Sequence, residues 1–117
     1  MELRVKRVYD PVSANDGLRI LVDRLWPRGL SKEKAAIDHW LKNTAPSTEL
    51  RKWFHAHLED WDTFRERYHA ELDDNPEIVA EVRELVNTDD VCTLLFSTRE
   101  QERNHALLLR DYLSRRS

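Results

Sequence analysis

Apolar residues recur along this chain with two different periods, and the switches between them mark out the elements. Leu3, Val5 and Val8-Tyr9 stand among charged neighbours, the pattern of a first strand, which Asp10-Pro11 ends. A loop with Ser13, Asn15, Asp16 and Gly17 carries strong turn chemistry. Leu18-Arg19-Ile20-Leu21-Val22 then predicts a short buried strand, and Pro27 and Gly29 prevent its simple continuation. Ser31 is placed to cap a helical turn over residues 32–36. Ile37 to Leu41 fits a short third strand, and a helix through Trp40 fits nearly as well.

From residue 47 the period becomes helical. Ser47 is a good N-cap, Glu49 favours the first turn, and Leu50, Trp53, Phe54 and His57 share a face. Glu59, Asp60 and Asp62 open a second helix with Trp61, Phe64, Tyr68 and Leu72 at helical spacing. Asn75-Pro76 starts a third, with Ile78, Val79, Val82, Leu85 and Val86 on one side, and Asp89-Asp90 breaks it. Val91-Cys92-Thr93-Leu94-Leu95-Phe96 has the continuous apolar character of a strand covered on both faces. A last helix is predicted from about Gln101 to Ser114, with Leu108, Leu109, Tyr112 and Leu113 facing in. Two early strands, a run of helices, a late strand and a final helix predict one α/β domain over residues 1–117. Its sheet should be small, largely parallel and flanked by helices.

Composition narrows the class without naming a reaction. The 117 residues include one cysteine, which excludes an internal disulfide framework and a multi-cysteine zinc site. Two glycines cannot build a Gly-rich phosphate loop, and no serine has the flanking glycines of a nucleophile elbow. No apolar run approaches the roughly 20 residues of a membrane-spanning helix, and the alternating start is not a signal peptide. A cytoplasmic protein without cofactor, metal or membrane partner is therefore expected. The net charge of -3 hides an asymmetry: residues 1–53 carry +4, and residues 54–117 carry -7. Arginine supplies 14 of the 19 basic residues, the side chain suited to bidentate anion contacts and to ion pairs.

Ligands of open α/β sheets bind beyond the carboxyl ends of the strands. Two loops qualify. One carries Asp23, Arg24, Trp26, Arg28 and Lys32; the other carries Ser97, Thr98 and Arg99 and leads to Asn104-His105 at the start of the last helix. If their strands are parallel neighbours, the loops form one crevice near a helix N-terminus, which itself favours anions. The alternative is an Asp–Arg ion pair holding the loops, with Trp26 capping the core. His105 precedes Leu108 and Leu109 on the apolar side, as a core histidine would, yet its place in the first turn favours a neutral ring able to act as general base. His55 and His57 point about 200° apart on a helix and cannot share a metal. Cys92 reads as a core residue, as do Trp40, Trp53 and Trp61.

The segment Asp16-Gly17-Leu18-Arg19-Ile20-Leu21-Val22-Asp23-Arg24-Leu25-Trp26-Pro27-Arg28-Gly29-Leu30-Ser31-Lys32 resembles the hallmark of the YeaO-like family, within the group called domain of unknown function 488. The likeness continues through Trp40, Ala45-Pro46-Ser47, Leu50-Arg51, Trp61, Phe64, Tyr68 and Glu71-Leu72, and closes on Thr93–Phe96 and Asn104-His105-Ala106. It implies a compact single-domain α/β protein of bacterial or archaeal type and carries no activity with it. Longer members of the wider group have Cys-His-Arg where this chain reads Asn104-His105-Ala106, so a mechanism relying on that cysteine does not transfer.

The leading expectation is a crevice for a small anion: a phosphate, nucleotide or carboxylate. Arg24, Arg28 and Arg99 would hold it and Trp26 would stack on an apolar moiety. Lys32, Ser97 and Asn104 would add hydrogen bonds. In a hydrolase or transferase His105 would be the base, and Asp23 either an acid or the clamp of Arg24. The alternative is a non-enzymatic module for nucleic acid or a regulatory protein, suggested by the basic first half. A third reading makes Trp53, Trp61 and Tyr68 a subunit interface.

Overall fold

The most apolar run of the chain becomes an inner strand of the sheet. β4 (Val91–Phe96) pairs in parallel with β1 (Glu2–Arg7) on one side and β2 (Leu18–Leu21) on the other. β2 in turn carries the two-residue edge strand β3 (His39–Trp40), giving the order β1-β4-β2-β3. The structure, a computed structural model, describes residues 2–115. Parallel pairing demands crossover connections, and helices supply most of them. α1 (Lys32–Ala35) lies between β2 and β3; α2 (Thr48–Ala56), α3 (Trp61–Asp73) and α4 (Pro76–Val86) lie between β3 and β4; α5 (His105–Arg115) follows β4.

Strand alternation divides the interior in two. Cys92, Leu94 and Phe96 of β4, Ile20 of β2 and Val22 just beyond it meet Phe64, Tyr68, Val82, Leu108 and Leu109 from the helices in the main core. Leu21 and Leu95 face the other way and join Val8, Trp26, Leu30 and Ile37 in a smaller cluster. So α2 to α5 cover one face, while the excursion between β2 and β3 covers the other.

That second face carries a buried charge network. Arg19 shares a face with Leu21 and is 4% exposed; its Nη1 donates to Asp16 Oδ2, and Nε and Nη2 donate to the carbonyls of Ala36 and Ala35. Asp16, 5% exposed, also accepts from Lys6 Nζ and from the backbone N–H of Ser13. With three donors spent, Arg19 fixes α1 and the Ser13–Gly17 turn against the sheet. Gly17 closes the turn at φ +64°, where a Cβ would lie 2.0 Å from the Val91 carbonyl oxygen.

Several boundaries differ from the sequence expectations. β1 ends at Arg7, although the buried Val8 continues the ladder with one bond from its N–H to Phe96 O (2.7 Å). α5 begins at His105, not Gln101, because Asn104 caps it: its Oδ1 accepts from the Leu107 N–H. The ambiguous third segment is a strand, but only over His39–Trp40. Trp40 is 39% exposed on that edge and is no core residue, whereas Trp53 and Trp61 pack half-buried against the core. Tyr68 is interior at 1% exposure and cannot belong to a subunit face. No helix among the described residues is long and apolar enough to cross a membrane.

Candidate functional site

The ends of β2 and β4, parallel neighbours, place Asp23 against Ser97. Asp23 Oδ2 accepts from the Ser97 N–H at 2.9 Å and from the Ser97 hydroxyl at 2.6 Å. His105, in the first turn of α5, brings its Nε2 to 3.2 Å from Asp23 Oδ1 and 2.9 Å from the Val22 carbonyl oxygen. Both neighbours are acceptors, so Nε2 carries the proton. The aligned hydrogen bond goes to Val22, which leaves Asp23 Oδ1 buried, in contact with His105 but without a hydrogen bond. Burial opposes ionisation of Asp23, yet the proximity of His105 and the two bonds from Ser97 outweigh it and hold the carboxyl below the ordinary aspartate value. Tyr68 stands edge-on to His105 with ring centroids 6.2 Å apart, and its hydroxyl donates to Thr44 O. Burial pushes the Tyr68 phenol far up, with the charges of Glu71 and Asp23 adding to the effect.

Arg24 turns the other way, toward the start of α2. Its Nη2 donates to Ala45 O at 3.3 Å and Pro46 O at 3.2 Å, both long bonds, while Nε is buried and unpaired. Among the described residues, only two buried side-chain polar atoms lack a hydrogen bond, Asp23 Oδ1 and Arg24 Nε, and they belong to consecutive residues. Arg24 lines a cavity of about 160 Å³ with Asn43, Thr44, Ala45, Ser47, Tyr68, Glu71, Leu72 and Asn75. Glu71 Oε1 accepts from the Ser47 N–H (2.8 Å) and Oε2 from its hydroxyl (2.6 Å), while Ser47 Oγ caps α2 through the Leu50 N–H.

The other sequence-derived residues disperse. Trp26 donates from Nε1 to Leu30 O (2.7 Å), meets Trp40 edge-on at 5.5 Å and packs on the second cluster. Arg28, Lys32 and Arg99 are exposed, and no interaction among the described residues joins them to Arg24. Asn104 is 4% exposed, with both ends of its amide spent on backbone: Nδ2 donates to Glu100 O, and Oδ1 accepts from Leu107. The crevice therefore unites Asp23, Ser97 and His105, and a separate cavity takes Arg24.

Ser47, Tyr68 and Glu71 were not among the candidate site residues. Tyr68 and Glu71 lie three apart on one face of α3, and a glutamate beside apolar Tyr68 and Leu72 was the available signal. Arg7 was also missed: its Nε donates to the carbonyls of Ser97 (3.3 Å) and Thr98 (3.0 Å), and its guanidinium lies 4.7 Å from the Tyr9 ring centre. Among the described residues no group of three or more His, Cys, Asp or Glu side chains is placed to hold a metal.

Comparison with known proteins adds a lineage. The profile described as the inactive DUF488-N3 subclade matches residues 2–117. The chain is 48% identical over 113 residues to uncharacterized protein YeaO of Escherichia coli (strain K12), covering 97% of each chain. It is 42% identical over 114 residues to uncharacterized protein Rv3073c of Mycobacterium tuberculosis (strain ATCC 25618 / H37Rv), covering 97% of this chain and 95% of the relative. Uncharacterized protein Mb3100c of Mycobacterium bovis (strain ATCC BAA-935 / AF2122/97) is similar to the same extent. No solved structure matches.

Proposed function

Because the chain belongs to the inactive DUF488-N3 subclade, we propose that it is a non-catalytic domain that binds a small anionic molecule, with Arg24 as the anion contact. The carrying observation is the Arg24 guanidinium at the cavity wall, with a buried Nε–H that has no acceptor. An orphaned buried donor costs about 1–3 kcal/mol. With a carboxylate or phosphate in the cavity, a small turn of the guanidinium exchanges its two long carbonyl bonds and the unmade Nε bond for charge-assisted ones.

The crevice next door supports binding over chemistry. The Ser97 hydroxyl donates to Asp23 and not to the His105 ring, whose Nε2 is spent on Val22 O beside Asp23 Oδ1, so no nucleophile–base pair is assembled. Asn104, where the wider group has cysteine, is buried and spent on helix capping. Asp23, Ser97 and His105 then act as a clamp that joins the ends of β2 and β4 to α5 and holds the adjoining Arg24 in register.

A thermal-shift panel of carboxylates, phosphates, sugar phosphates and nucleotides on the wild type and on Arg24→Gln tests this. A ligand at about a hundred times its dissociation constant adds about 2.7 kcal/mol, roughly 8–15 °C for a domain of this size. The shift is expected to vanish in Arg24→Gln. A shift that persists in the variant refutes Arg24 as the contact. Oligonucleotide binding that weakens steeply with salt would favour the nucleic-acid module instead.

A further inference from the structure

Taking the Arg24 site as given, we infer that its ligand is a small zwitterion of the amino-acid class, whose carboxylate meets Arg24 and whose ammonium meets Glu71. The same cavity wall carries one guanidinium and one carboxylate. No ion pair joins Arg24 to Glu71 among the described residues, so neither charge is neutralised by the other at contact distance. A simple anion placed beside Arg24 therefore enters the field of Glu71 and loses part of what Arg24 offers. A ligand bearing both charges loses nothing: its cationic end is attracted by the group that repels the simple anion.

The hydrogen-bond inventory agrees. Each Glu71 oxygen accepts one bond from Ser47, which leaves each a further lone pair for an N–H donor. Ser47 fixes that carboxylate in orientation, and α2 fixes Ser47, so the acceptor is held before any ligand arrives. The Tyr68 hydroxyl spends its proton on Thr44 O and the Thr44 hydroxyl on Leu41 O, so neither competes as a donor for the Glu71 carboxylate. Leu72 adds an apolar patch. At about 160 Å³ the cavity is several times the size needed to hold one water. Glycine, alanine and β-alanine are small enough to enter it and carry both charges.

The test titrates the intact protein with glycine, alanine and β-alanine, with acetate and phosphate as anion-only probes, and with ethylamine as a cation-only probe. Binding is followed in ¹H–¹⁵N spectra, which register millimolar affinities. At least one amino acid is expected to bind tenfold or more tighter than acetate or ethylamine. Glu71→Gln, which keeps an oxygen acceptor for Ser47, is expected to lose that preference while acetate binds no more weakly than to the wild type. Acetate or phosphate binding as tightly as the best amino acid overturns the zwitterion and leaves the Arg24 anion site standing. Ethylamine matching the amino acids, or no probe perturbing Arg24, overturns both. The comparison among probes on the wild type decides the matter even if Glu71→Gln fails to fold.

Discussion

Replacing Asp23 with Asn changes the chemistry of one atom and almost no volume, so it isolates the work of the carboxylate in the clamp. In the native site Oδ2 receives two bonds from Ser97, at 2.9 and 2.6 Å, and Oδ1 faces His105 Nε2 at 3.2 Å. A hydrogen bond to a charged acceptor contributes about 1.5–3 kcal/mol against about 0.5–1.5 for a neutral one, so the Ser97 pair loses roughly 2 kcal/mol. The new amide then points N–H groups at the Nε2–H of His105, and that opposition adds roughly 1 kcal/mol. A total near 3 kcal/mol is a large part of the 5–15 kcal/mol that holds an ordinary domain together, and lowers the melting temperature by roughly 10 °C. Urea unfolding of both proteins across pH gives a second, independent readout. The Asp23 carboxyl is held below its ordinary value in the folded protein, so between the folded and unfolded values the unfolded chain binds more protons. The stabilisation is complete above the unfolded value of about 3.9 and is lost as pH falls through the folded one. The gap between wild type and Asp23→Asn is therefore expected to narrow as pH falls below the unfolded value and through the folded one. A gap under about 1 kcal/mol, or one that does not narrow, refutes the clamp.

Three further substitutions probe the other face and its turns. Arg19→Met leaves the Asp16 carboxylate with Lys6 as its one cationic partner and strips the Ala35 and Ala36 carbonyls of their donors; a loss of about 3–5 kcal/mol is expected in denaturant unfolding. Gly17→Ala drives a Cβ to 2.0 Å from the Val91 carbonyl at φ +64°, and circular dichroism is expected to show an unfolded or severely destabilised chain. Ala36→Gly relieves a left-handed residue at φ 49° while the Ala36 carbonyl bond to Arg19 stays; calorimetry is expected to show a gain of about 0.5–1 kcal/mol.

What could be read from the chain and what could not divides along physical lines. The Val91–Phe96 run and the helices with long apolar stripes were legible because burial imposes its period directly on the residues. Parallel neighbours β2 and β4 then brought Asp23 to Ser97, 74 positions away in sequence, because ligand loops of such sheets gather at the strand carboxyl ends. The second face was much less legible. Arg19 reads as an interruption of an apolar strand, and only the pairing register shows that it shares a face with Leu21 and Leu95 under the β2–β3 excursion. Its neighbour Asp16 reads as a turn residue, which it also is. The cavity has no local signature in the sequence. Glu71 and Ser47 lie 24 positions apart, and nothing local in either segment encodes that helix α3 carries one to the cap of α2. Arg24, Arg28 and Arg99 look equivalent in sequence, yet only Arg24 has a donor buried without an acceptor.

The most direct test of the central claim observes the Arg24 Nε–H itself. Its cross-peak in a ¹H–¹⁵N spectrum is identified by its disappearance in Arg24→Lys, and the wild type is titrated with glycine and with acetate. If Arg24 is the anion contact, that resonance moves downfield with ligand and saturates together with the backbone signals of Ala45 and Ser47. If the resonance stays fixed while signals elsewhere move, or if no small acid moves it, Arg24 is not the contact and the cavity is not the binding site.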